Sequence, residues 1–131
     1  MNIQKEMGTF FGASCYAYCL AYIFGDCGNS LKELTCCVLN GWINGCIEDD
    51  GYVSKPVKYV NGICKYKWTN VYKTKIETLM DLPSEGLYAV EFVYGKKVHF
   101  VVCRKGSVVF DPWENSETVK KGKPVSYRLF I

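Results

Sequence analysis

Histidine occurs once in the chain, at His99, so chemistry that needs an imidazole has a single candidate. Paired C-x2-C knuckles are missing. Cysteines stand at 15, 19, 27, 36, 37, 46, 64 and 103. Neither Cys15-x3-Cys19 nor the adjacent Cys36-Cys37 has the ligand spacing of a structural zinc site, so no metal and no other cofactor is expected. Long apolar runs are also absent. The stretch from Tyr16 to Phe24 falls far short of the ~20 residues a membrane span needs. Residues 1–10 are mainly polar, and no cleavage pattern follows them. The expectation is a cytoplasmic chain with no membrane partner. Excess charge is scarce: a net +3 falls short of a nucleic-acid footprint. There are no internal repeats and no low-complexity tracts.

What is present suits a packed core. The 131 residues fit one domain, 1–131, and 49% are hydrophobic against 22% charged, which disfavours disorder. Aromatics reach 15%, enough to line a core or groove. An even number of cysteines permits a disulfide framework, but the core-forming composition argues against one. Most of the thiols read as small buried hydrophobes. Lys55, Lys58, Lys65, Lys67, Lys73 and Lys75 cluster in one central stretch, which reads as a solvated edge strand.

The order of elements is helices first, then strands. Ser14 is placed as an N-cap, with Cys15 the first residue of a helix that runs to about Phe24 and stops at Gly25. Nearly every face of that helix is apolar, so it belongs in the interior. "NSLKELTCCVLNGW" gives a second helix with a Ser30/Glu33 capping box. Its apolar stripe is Leu31, Leu34, Cys37 and Val38, and Gly41 or Gly45 ends it. A short third helix is expected from Lys55 to about Tyr59, with Pro56 in its first turn. "CKYKWTNVYKT" alternates with period two and reads as a strand. "KIETLMDL" is one helical turn or two, and Pro83 and Gly86 mark a loop. "GLYAVEFVY", "VHFVVCR" and "VVFDPW" follow as hairpin strands joined by "GKK" and "KGS". A lysine-rich loop then precedes a last strand, "VSYRLFI". The fold class expected is α+β, with an N-terminal central helix and further helices packed on a C-terminal antiparallel sheet.

His99 and Asp111 lie on either side of the turn at Lys105-Gly106, at equal distance from it. In a tight antiparallel hairpin that spacing makes them near cross-strand neighbours on one face. A carboxylate beside an imidazole fixes its tautomer, orients the ring and stabilises the imidazolium. Such a histidine could deprotonate a nucleophile, and Cys15 is the natural one. A thiol in the first turn of a helix meets the positive end of the macrodipole and unpaired N–H groups, which favour a thiolate and could hold an oxyanion. Cys15, His99 and Asp111 thus form a possible nucleophile, base and orienter. Trp113 stands where it could shield the His–Asp pair and contact a substrate.

"GASCYAYCLAYIF" and "VHFVVCRKGSVVFDPWEN" together resemble the papain-like cysteine peptidases, most of all the small bacterial branch of bacteriocin-processing peptidases. The first block is similar to a small-residue stretch leading into a catalytic cysteine on a central helix. The second is similar to a histidine opening an apolar strand, a turn, and a strand that ends in Asp-Pro-Trp. The resemblance covers both ends of the chain, with residues 28–86 matched only as helices and a lead-in strand. It implies a papain-like fold, and a peptide or protein substrate cleaved at a peptide or isopeptide bond. It also implies an upstream glutamine whose amide helps the backbone N–H of Cys15 to hold the oxyanion. The nearest is Gln4, eleven residues before Cys15. "GTFFG" lies between them and could loop out to let Gln4 reach. Two further readings use the same scaffold: a catalytically inactive interaction or effector module, and an acyltransferase that intercepts the acyl-enzyme with an amine.

Overall fold

The computed structural model describes residues 13–113 and 116–131. Among the described residues, three helices come first: α1 (Cys15–Phe24), α2 (Leu31–Ile43) and α3 (Pro56–Ile63). Five strands follow, β1 (Val71–Lys75), β2 (Tyr88–Tyr94), β3 (Lys97–Arg104), β4 (Ser107–Phe110) and β5 (Lys123–Phe130), with a short helix α4 (Glu117–Lys121) between the last two. The strands form one sheet in the order β1-β5-β2-β3-β4, and every neighbouring pair is antiparallel. The class is α+β.

Alternation along β2 and β3 gives the sheet two buried faces. Ala89 pairs with Val102, and both join the core built by α1, α2 and α3. One residue on, Val90 pairs with Val101, and both join a second cluster with Ile76, Leu82 and Tyr127. Side chains of a strand alternate between faces, so each register step assigns a residue to one core or the other. The all-apolar α1 accordingly lies inside: Ala17, Cys19, Leu20 and Ala21 are fully buried. Burying a side chain the size of leucine stabilises by ~1.5–3 kcal/mol.

The capping box of α2 is present, with the Glu33 N–H donating to Ser30 Oγ at 3.2 Å and the Ser30 N–H donating to Glu33 Oε1 at 3.3 Å. Its buried stripe starts at Leu34, because Leu31 sits in the exposed first turn, 74% accessible. Gly41 does not end the helix. It lies within α2, where an added Cβ would come 2.6 Å from the Tyr59 ring and 2.8 Å from Ile47. Close approach of Tyr59 is what this glycine permits, and the Tyr59 hydroxyl then donates to the Ala17 carbonyl at 2.9 Å. Gly45 follows α2 with φ +75°, a left-handed backbone that favours glycine.

Two elements depart from the expected bounds. Helix α3 runs on to Ile63, carried by Tyr59, Val60 and Ile63 on one buried face; Gly62, on the exposed side, does not break it. The expected strand across residues 64–74 forms only from Val71. Upstream, the backbone of Trp68 is taken by a side chain: its N–H donates to Asn61 Oδ1 at 2.8 Å and its carbonyl accepts from Asn61 Nδ2 at 3.0 Å. With those groups satisfied, the segment has no need of a neighbouring strand. β1 is an edge strand, as its lysines suggested, and carries Lys73 and Lys75. Among the described residues, no helix is long and apolar enough to cross a membrane.

Candidate active site

Helix α1 begins at Cys15, with Ser14 at the N-cap position. The Ser14 carbonyl accepts the first helical bond, from the Tyr18 N–H at 3.0 Å, but the serine side chain makes no capping bond. Amides of the first turn have no partner within a helix, and Cys15 is the first residue of that turn. Cys15 is 9% exposed and is reached through a groove.

His99 sits in β3, buried to 5% exposure, and its Nε2 lies 2.7 Å from Asp111 Oδ1. Strand pairing brings them near each other on one face but not directly opposite. A register shift separates Val102, opposite Phe110, from Cys103, opposite Val108, so the continued ladder sets Asp111 across from Val101. Asp111 is the first residue past β4, and the bond is made by side-chain reach. Pro112 follows it and cannot donate to a ladder. The freed carboxylate instead accepts from two further amides: Trp113 N–H on Oδ1 at 2.9 Å and Ser116 N–H on Oδ2 at 3.4 Å. Side-chain acceptance from a backbone N–H two residues on is the ordinary turn chemistry of aspartate.

An ionised carboxylate only accepts, so Nε2 carries the proton it donates to Asp111, and Nδ1 is left for another partner. The Cys15 thiol, on the same groove wall, is the candidate. Burial acts to lower the His99 pKa, but hydrogen bonds to Cys15 and Asp111, together with their charges, carry it above the usual 6.5. Burial likewise acts to raise Asp111. The bond to His99, the Trp113 amide, the His99 charge and Ser116 hold it below 3.8. Imidazolium and carboxylate each favour the charged form of the other.

Around this cluster lies a groove of about 770 Å³. Cys15, Tyr16, His99 and Phe100 line one part, and Gly51, Tyr52 and Val53 line another. The loop carrying Tyr52 is folded on itself through the Ile47–Val53 bridge and the Glu48 N–H bond to the Tyr52 carbonyl, 2.8 Å. Trp113 also lines the groove; its ring centroid is 5.9 Å from that of Tyr18. Its backbone steadies Asp111 while its indole stands at the rim.

Gln4 lies outside the described residues. Two residues missed in the sequence reading belong to the site. Ser116 and Thr118 line the groove from the start of α4, a helix read above as a lysine-rich loop. Its signals were there. Ser116 caps it by accepting from the Val119 N–H at 3.4 Å, Glu117 opens it, Lys120 and Lys121 close it, and Gly122 follows. All eight cysteines are free thiols. Among the described residues, no group of three or more His, Cys, Asp or Glu side chains is placed to hold a metal ion. No protein-family model matches the chain, and no curated protein or solved structure matches it at a significant level.

Proposed function

We propose that the chain is a cysteine-dependent hydrolase of papain-like type that cleaves a peptide or isopeptide bond. One observation carries the reading: a single imidazole holds Asp111 through Nε2 at 2.7 Å and lines the same groove as the Cys15 thiol, which begins a helix. In this reading Cys15, as thiolate, attacks the acyl carbon. The oxyanion draws on the backbone N–H of Cys15, with the Gln4 amide as a further donor, in the positive field of the α1 N-terminus. His99 gives its proton to the departing amine as the C–N bond breaks, leaving a thioester on Cys15. Neutral His99 then takes a proton from water, whose oxygen attacks the thioester. A carboxylic acid leaves, and the thiol is restored. Asp111 holds the ring in the productive tautomer throughout.

The test is per-cysteine alkylation with iodoacetamide, read by mass spectrometry, followed by turnover of a peptide library. Cys15 should react ahead of the other buried thiols, and His99→Ala should remove that advantage. Cys15→Ala should abolish turnover in a folded protein, and His99→Ala should lower it by ~10²–10⁴-fold. Slow, His99-independent labelling of Cys15 sinks the hydrolase and favours a non-catalytic interaction module. Transfer of the acyl group to an added amine in preference to water makes the enzyme an acyltransferase.

A further inference from the structure

The charge of the groove speaks to the substrate. Among the described residues, the Lys, Arg, Asp and Glu side chains along its walls are Lys73, Lys97 and Arg128 against Glu91. Three cations face one anion, and the anion is already engaged. Glu91 Oε1 accepts from Ser126 Oγ at 2.8 Å and lies 3.5 Å from Lys73 Nζ and 4.0 Å from Arg128 Nη2. Arg128 Nη1 donates to the same serine oxygen at 2.8 Å. Ser126 is fully buried, so the hub of this network is fixed in the sheet.

The guanidinium is held from a second side by aromatic rings. It lies 5.1 Å from the centroid of Phe100 and 5.9 Å from that of Tyr16, and those rings are 4.6 Å apart. Phe100 follows His99 in the chain, and Tyr16 follows Cys15. Arg128 is therefore a pre-positioned cation on the lining of the groove that also carries Cys15 and His99. Its side chain is only 16% exposed, which reduces screening by water. A guanidinium has five N–H donors in a fixed fork, more than Ser126 and Glu91 occupy.

We infer that this end of the groove receives a carboxylate of the substrate, an aspartate or glutamate side chain close to the bond that is cut. Arg128 is the main recognition group, Lys73 and Lys97 add to the field, and Glu91 with Ser126 positions the arginine. The inference deepens the hydrolase reading and rests on it for the scissile bond. The anion site itself can be tested without turnover.

The experiment uses the Cys15→Ala protein and two peptides, acetyl-Glu-Glu-Gly-Gly-Glu-Glu-amide and its all-glutamine counterpart, titrated calorimetrically at low salt. The acidic peptide should bind about tenfold tighter, as charge complementarity in a partly buried site allows. Arg128→Gln should remove most of that preference, and Lys73→Met part of it. Lys73 lies on the exposed edge strand, so its variant decides the matter if Arg128→Gln does not fold. Equal affinity for the two peptides, binding of neither, or a preference untouched by both substitutions overturns the proposal. Because Cys15 is absent from this experiment, an unreactive thiol would remove the hydrolase and leave the peptide preference standing.

Discussion

Nε2 of His99 lies 2.7 Å from Oδ1 of Asp111, a bond between the interior of one strand and the first residue beyond the next. The same carboxylate collects the amides of Trp113 and Ser116, so Asp111 both ends a strand and anchors the segment toward α4. Displacing it disturbs the ring and the turn together.

The single histidine makes the pair directly observable. One imidazole resonance should titrate in the folded protein, with a midpoint above 6.5 because of Cys15 and Asp111. Asp111→Asn and Cys15→Ala should each lower that midpoint by removing one of the groups that favour imidazolium. A midpoint unmoved by both substitutions would mean the ring senses neither neighbour.

Stability follows from the same shifts, with opposite signs at the two ends of the pH scale. His99 has a raised folded pKa, so its contribution is complete below the unfolded value near 6.5 and is lost as pH rises through the folded value. Asp111 has a lowered one, so its contribution is complete above 3.8 and is lost as pH falls through the folded value. Urea melts of wild type and Asp111→Asn should differ most between these limits and converge in acid. Parallel curves across the whole range would contradict the linkage.

Thiol accessibility sorts the cysteines. Burial pushes the Cys103 thiol up to about 12, and burial with the neighbouring Cys27 pushes Cys37 up to about 11. Native labelling at pH 8 should therefore modify Cys27 and Cys36, which are exposed, and spare Cys19 and Cys103 until the protein is unfolded. Early loss of the Cys103 thiol would show that the sheet opens locally.

Gly41→Ala tests the packing under the site. In an exposed helix this change gains ~1 kcal/mol. Here the new methyl would meet the Tyr59 ring and Ile47 at under 3 Å, and overpacking of that kind costs ~1–3 kcal/mol. A net loss of stability by denaturant melt is expected. A gain would mean that Tyr59 moves aside readily.

The helices and hairpins were legible in the sequence because each carries a local signal. Ser30 with Glu33 marks a helix start, and Gly106, φ +84°, marks the β3–β4 turn. The His99–Asp111 contact was legible as a pair but not as a geometry. Equal spacing from a turn assumes an unbroken ladder, and the shift at Val102/Cys103 has no mark in the residues. The start of β1 failed for another reason. Period-two alternation says that side chains face two ways, but not where the backbone finds its partners, and Asn61 takes those of Trp68. Arg128 was invisible as part of the site because only folding carries β5 beside β2 and its guanidinium over Phe100.

The rings of Tyr22 and Phe110 stack 4.4 Å apart and nearly parallel, at 9°. Tyr22 lies seven residues along the helix that starts with Cys15, and Phe110 immediately precedes Asp111. The stack thus ties the helical layer to the sheet layer from outside the groove, along the two segments that carry thiol and carboxylate. A slip of α1 by one turn, about 5.4 Å, would carry the sulfur out of reach of the ring. The stack is a clasp on alignment, so Tyr22→Ala should weaken Cys15 reactivity without touching any group in the groove.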